Sequence, residues 1–163
     1  MPLCYTTFME RAVLLQLGLI ALGVVGFAIA YYIRRKKRLY APLTCPLGSE
    51  CDTVIHSRYS TILDIPVELL GAYYYTLITL AHTAFLFFPA LGTPFVNALL
   101  LGTTTTALAF SFYLTVIQLI ALKKLCTWCL ISATICGIIF FMELFVSGLT
   151  LAEFFEIITA SNF

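Results

Sequence analysis

The sequence predicts an all-α polytopic membrane protein: a four-transmembrane-helix bundle with a cysteine-bearing loop and a short helix between its first two spans. Three observations carry this prediction. Of 163 residues, 61% are hydrophobic and 10% are charged, against about 25% charged in an average soluble protein, so there is too little charge to coat a globule in water. Aromatic residues make up 15%, which excludes a disordered tail. Four apolar runs each reach the roughly 20 residues needed to cross a bilayer core about 30 Å thick. The length fits a single membrane domain over 1–163. Nine Lys and Arg against eight Asp and Glu leave a net charge of +1, too little basic surface to neutralise a nucleic-acid backbone.

The first span, 12–33, contains no charge. It is too long for the h-region of a signal peptide, about 7 to 15 residues, and a basic run follows it where a cleavage site would stand. The polar stretch 34–65 forms the cysteine loop. In the second span, 66–88, Pro66 suits a first turn because its missing N–H would be unpaired there anyway, and Glu68 is the one carboxylate. The third span, 95–122, exceeds what a bilayer needs and must tilt, bend or protrude. Its Thr103 to Thr106 run can bond back to its own turns or across to a neighbour. The fourth, 125–146, has Glu143 near its far end and Gly148 placed to stop it. Thr150 and Glu153 then form a capping box, with Leu151, Phe154, Phe155 and Ile158 at helical spacing. This predicts a short surface helix over 150–160, the alternative being a ragged end of the fourth span.

Four spans place the loop after the first and the turn between the third and fourth on one face of the membrane. Cys45, Cys51, Cys126 and Cys129 therefore share a face. Cys45 and Cys51 stand in a Pro- and Gly-containing loop that can fold back to let their sulfurs meet. Cys126-Thr127-Trp128-Cys129 is a CxxC at the start of a helix, where the positive end of the dipole, with Lys123 and Lys124 nearby, should stabilise a thiolate. Cys4 and Cys136 read as small hydrophobes in an apolar interior. A zinc site of four thiolates would put a closed charged cage at the lipid boundary, and a CxxC closes too small a loop to be useful as a structural staple. A redox pair is the better use of this spacing. Two dithiol pairs on one face can relay electrons by thiol-disulfide exchange. Their acceptor must take two electrons, live in lipid and reach Cys129, conditions that a membrane quinone such as ubiquinone or menaquinone satisfies.

These residues resemble the bacterial branch of the vitamin K epoxide reductase family. The likeness rests on the four-span pattern, the loop pair, Cys51-Asp52-Thr53-Val54-Ile55-His56-Ser57-Arg58-Tyr59-Ser60, Ile65-Pro66 with Leu70-Gly71, and Cys126-Thr127-Trp128-Cys129-Leu130-Ile131-Ser132-Ala133. The resemblance implies a four-helix bundle that holds a quinone near its mouth and oxidises thioredoxin-fold partners. It implies that Cys45 takes electrons from the partner, that Cys51 passes them to Cys126, and that Cys129 reduces the quinone while Ser57 donates a hydrogen bond to a quinone oxygen. An ordinary turn hydroxyl is the plainer account of Ser57, and a solvated loop residue that of His56. Asp64 stands where bacterial members often carry glycine. No thioredoxin domain follows the fourth span, so the partner is expected as a separate chain. Ala133 replaces the tyrosine of the animal enzymes, which counts against vitamin K epoxide as substrate. The alternatives are a quinone or vitamin K epoxide reductase, and a non-enzymatic membrane scaffold held by disulfides.

The side of the membrane is contested by two arguments. Arg34, Arg35, Lys36, Lys37, Arg38, Arg58, Lys123 and Lys124 lie on the cysteine face and only Arg11 opposite, which by the positive-inside rule puts the cysteines in the cytoplasm. Disulfides persist on the oxidising exterior, and basic residues next to a span also anchor anionic headgroups. The expected setting is a bacterial-type cytoplasmic membrane with the cysteines facing outward, the inverted orientation being the alternative.

Overall fold

The computed structural model describes residues 3–41, 43, 45, 51–62 and 64–147, and the side chains from residue 13 onward. Helix α1 (Leu3–Arg38) is longer than its apolar run at both ends. At 1.5 Å per residue it spans about 54 Å, so it protrudes from the bilayer. Arg and Lys are good helix formers, and Arg35 to Arg38 in the last turn complement the helix dipole. The helix ends where Tyr40 turns left-handed (φ 48°). There the Ala41 N–H reaches the Lys36 carbonyl (3.2 Å) and the Tyr40 N–H the Lys37 carbonyl (3.3 Å), a Schellman closure with tyrosine in the place usually taken by glycine.

Helix α2 (Cys51–Ile55) buries Cys51, Val54 and Ile55 and exposes Asp52. One 3-10 turn, Arg58–Ser60, leads to a two-stranded antiparallel ladder of β1 (Thr61–Ile62) and β2 (Ile65–Pro66). Asp64, in the turn, has φ 63°, a conformation that glycine adopts without steric cost. Helix α3 (Val67–Phe87) follows with Pro66 as its extended N-cap, one position before the first turn that the sequence suggests. Thr93 caps α4 (Pro94–Ile117), its side chain accepting from the Val96 N–H (3.3 Å). The long third span resolves its excess length by widening into a π-turn, Gln118–Leu122, closed by left-handed Lys123 (φ 50°). Helix α5 (Thr127–Ser147) completes the bundle. All four long helices have the length and composition to cross a membrane, and the chain is an integral membrane protein. The predicted surface helix at 150–160 and the side chain of Cys4 lie outside the described residues.

Helix α1 packs closely on α3 because Gly23 and Gly26 lie under Thr79 and the Tyr75 ring, leaving no room for a Cβ. Helix α5 packs on α1 and α4, while α3 and α4 scarcely touch. The core joins Leu19, Ile29 and Ile33 of α1 to Tyr75, Ile78 and Phe85 of α3 and Ile135 and Ile139 of α5. Large apolar side chains such as Phe95, Phe112, Phe141 and Phe145 point outward, as lipid requires. The Thr103 to Thr106 hydroxyls all bond back within α4, to the carbonyls of Leu100, Leu101 and Gly102.

Candidate active site

The loop pair is a disulfide, Cys45–Cys51, with Cα atoms 6.2 Å apart. Cys45 is half-buried, whereas Cys51, at the head of α2, is 1% exposed. The amphipathic α2 carries it inward, since Val54 and Ile55 on the same face sit in the core. Cys126 is 0% exposed and carries a free thiol, as does Cys129. Cys51 and Cys126 belong to one continuous buried cluster, with Cys45, Trp128 and Cys129 packed against it. Val54 and Ser57, just beyond Cys51, line the same cavity as Cys129, which places both pairs at one end of the bundle.

The CxxC is held from behind by Gln118. Its Oε1, in the π-turn, accepts the buried Cys126 N–H at 3.0 Å, and the Cys126 carbonyl accepts the Leu130 N–H of the first turn of α5 at 3.0 Å. The Cys126 thiol is held below its ordinary range. A hydrogen bond from the Cys129 thiol is the largest cause, the backbone N–H groups of Cys129 and Trp128 add to it, and burial opposes them. The helix N-terminus thus acts as the sequence predicts. The lysines do not: Lys123 and Lys124 are not among the groups that lower Cys126.

Cys129 opens onto a cavity of about 120 Å³ whose walls include Ala30, Ile33, Val54, Ser57, Glu68, Gln118 and Ser132. Val67, Gly71, Ser111, Leu114 and Ser132 also line a wider groove of about 880 Å³ between α3 and α4, so the two spaces join. Ser57 faces the cavity, but its hydroxyl donates to the Val54 carbonyl (2.8 Å), the turn bond that is its plainer account. His56 is exposed and its Nδ1 lies 3.0 Å from the Asp52 carbonyl, in keeping with a solvated loop residue.

Three contributors are hard to see in the sequence. Lys37, inside the basic run, reaches in to pair with Glu68 (3.4 Å) and to donate to the Ser60 hydroxyl (3.1 Å), tying the end of α1 to the segment that carries Cys51 and Ser57. Gln118 is a lone amide in an apolar span. Tyr75 donates to the Ser132 carbonyl (2.9 Å) and shares a second hydrogen bond with the Ser132 hydroxyl (2.8 Å), fixing the cavity floor. A helical seven-residue repeat of polar side chains in the second and fourth spans is the signal that could have found Tyr75.

No curated protein matches the chain. The sequence model of the vitamin K epoxide reductase family matches residues 12–144, a range that takes in all four long helices and both cysteine pairs. With a loop disulfide and a CxxC gathered at the mouth of a four-helix membrane bundle, the chain is a membrane oxidoreductase and belongs to the vitamin K epoxide reductase family.

Proposed function

We propose that the protein is a thiol:quinone oxidoreductase that re-oxidises a separate thioredoxin-fold partner and so supports disulfide formation. One observation carries this reading: an oxidised outer pair and a reduced inner pair share a buried cluster, and the inner pair opens onto an apolar cavity continuous with a lipid-facing groove. The partner's thiolate attacks Cys45, its second thiol resolves the mixed disulfide, and Cys45 and Cys51 receive two electrons. The Cys51 thiolate then attacks Cys126 in an oxidised CxxC, releasing Cys129. Cys45 resolves the Cys51–Cys126 bond, which restores the loop disulfide and leaves the electrons on Cys126 and Cys129.

The walls suit a flat, largely apolar ring: Ala30, Ile33 and Val54 supply area, while Ser57 and Gln118 supply polar contacts beside Cys129. A quinone bound there supplies a lipid-soluble two-electron acceptor. Ser57 serves it by turning its hydroxyl from the Val54 carbonyl toward the ring oxygen, and the groove between α3 and α4 accommodates its tail. The cysteine face is assigned to the exterior. Lys37 is spent on Glu68 inside the fold, so the basic cluster overstates the charge free to hold this face in the cytoplasm.

The test combines purified protein, a reduced thioredoxin-fold protein and a lipid-soluble quinone under anaerobic conditions, read by quinone absorbance. Cys129→Ala should abolish quinone reduction, and Cys45→Ala should spare reduction driven by a small dithiol that reaches Cys126 directly. Equal loss in both variants, or in neither, overturns the relay, and a wild-type dithiol inert to quinone leaves a scaffold held by a disulfide. A reporter active only outside the cytoplasm, fused at Phe163, should stay silent; a strong signal would reverse the orientation.

A further inference from the structure

The far half of the bundle holds a second group of ionisable side chains that the relay does not use. His82 Nε2 and Glu143 Oε1 lie 2.7 Å apart, at 0% and 2% exposure, inside helices that cross the membrane. His82 is five residues from the end of α3 and Glu143 four from the end of α5, about one turn from the face opposite the cysteines. Burying such a pair is costly, and apolar residues of like volume would pack there as stably, so an intramembrane ionisable pair calls for a function.

Two further observations give the pair a direction. The His82 Nδ1 is buried without a hydrogen-bond partner among the described residues, a condition native interiors rarely leave without water or a role. In addition, Glu68, Tyr75 and His82 on α3 and Cys129, Cys136 and Glu143 on α5 recur every seven residues, which keeps each set on one helical stripe. From the cavity inward come Ser132 bonded to Tyr75, then Cys136 faced by Tyr74, with Glu143 within electrostatic reach of the Tyr74 hydroxyl. The longest step, Cys136 to Glu143, is about 10 Å along the helix, and Tyr74 interacts with both residues. Tyr74, Tyr75, Ser132 and Cys136 also line the groove that adjoins the Cys129 cavity, which puts the seam beside the site proposed for the quinone. From the other elements, α1 presents Leu19 to the core and has no titratable side chain between residues 13 and 30, and α4 has none between 94 and 112.

We propose that His82 and Glu143 form a proton-loading pair that draws one proton per turnover from the face opposite the cysteines and passes it along the Tyr74, Cys136, Tyr75 and Ser132 seam to the quinone cavity. This rests on the quinone reading above. The balance leaves room for such a source: partner dithiol and quinone already carry a quinol's two hydrogens, so a proton taken up on the far face is matched by one released on the cysteine face. Reacting from a thiolate–thiol form, the inner pair yields two electrons and one proton when its sulfurs join, while a quinol needs two of each. The second proton enters from the far face. Overall, partner dithiol, quinone and one far-side proton give partner disulfide, quinol and one proton released on the cysteine side.

The test uses oriented proteoliposomes containing a short-chain ubiquinone, with a reduced, membrane-impermeant dithiol protein added on the cysteine face and a pH dye enclosed on the other. Wild-type protein should alkalinise the dye compartment by one proton per quinol. Glu143→Gln should lose that signal, and so should His82→Leu/Glu143→Leu, which keeps the packing should the single variant fail to fold. In wild type, quinol formed without alkalinisation overturns the proposal, and so does alkalinisation retained in the double variant. Absence of quinol in wild type instead sinks the quinone reading, and the seam falls with it. In quinone-free protein, the infrared carboxyl band absent from Glu143→Gln should follow pH on the far face. A band that follows the cysteine face, or neither, overturns the proposal independently of turnover.

Discussion

Removing the Cys129 thiol should make Cys126 harder to ionise, although no charge is removed. The Cys129 S–H is the largest of the groups that hold Cys126 below its ordinary range. Hydrogen bonds to charged groups contribute about 1.5–3 kcal/mol, and a thiol is a weak donor, so the low end applies. That is about a tenfold loss in the thiolate-to-thiol ratio at any pH below the midpoint. Thiolate ultraviolet absorbance, followed against pH in a Cys4→Ala/Cys136→Ala background with the loop disulfide intact, measures it. Cys129→Ala should titrate at higher pH than the parent, and Cys129→Ser, whose hydroxyl still donates, should fall between them. The depressed Cys126 also stabilises the fold above the value it has in the unfolded chain, and that increment is lost as pH falls through the folded value. Cys129→Ala should shrink this increment at neutral pH. Identical titrations in all three proteins would refute the reasoning and leave the backbone N–H groups at the start of α5 as the sole cause.

Three further substitutions test the frame around the site. Lys37→Met strands the Glu68 side chain, 6% exposed, without its cation. Thermal unfolding in detergent should register a loss of about 3 kcal/mol, most of it recovered in Lys37→Met/Glu68→Gln. Asp64→Gly relieves a left-handed residue and should raise stability by up to about 1 kcal/mol without changing turnover. Gly26→Ala drives a methyl into the Tyr75 ring and should cost about 1–3 kcal/mol; quinone turnover should fall with it, because Tyr75 can no longer reach Ser132.

Much of this arrangement is legible in the chain because the bilayer imposes a simple rule. Runs of about 20 apolar residues fix four spans, and an even number of crossings between the loop and the CxxC forces both onto one face. Helix ends are less legible. Tyr40 and Lys123 adopt the left-handed conformation where glycine is the usual choice, since the closing hydrogen bonds at Lys36 and Gln118 outweigh the steric cost. Site residues whose role depends on reach are the least legible. Lys37 looks like one more cation in a basic run, and Gln118 meets Cys126 across a π-turn that the sequence does not announce. The polar seam leaves a seven-residue signature, but in an apolar helix that signature is sparse and easily read as packing.

The local chemistry of Cys126 also sets the direction of the proposed relay. In the Cys51–Cys126 mixed disulfide, Cys45 attack expels Cys126 and sends electrons inward, whereas Cys129 attack expels Cys51 and sends them back. A thiol of lower pKa leaves faster and, once free, attacks more weakly. The donors that depress Cys126, the Cys129 thiol and the N–H groups of Cys129 and Trp128, therefore speed its release and slow its return to the loop disulfide. Among the described residues of the loop, none is such a donor to Cys126. Forward bias is thus built into the first turn of α5, and the loop need only bring Cys51 within reach. In the proposed relay, electrons on Cys126 and Cys129 are disfavoured from leaving outward, and the cavity beside Cys129 offers the other exit.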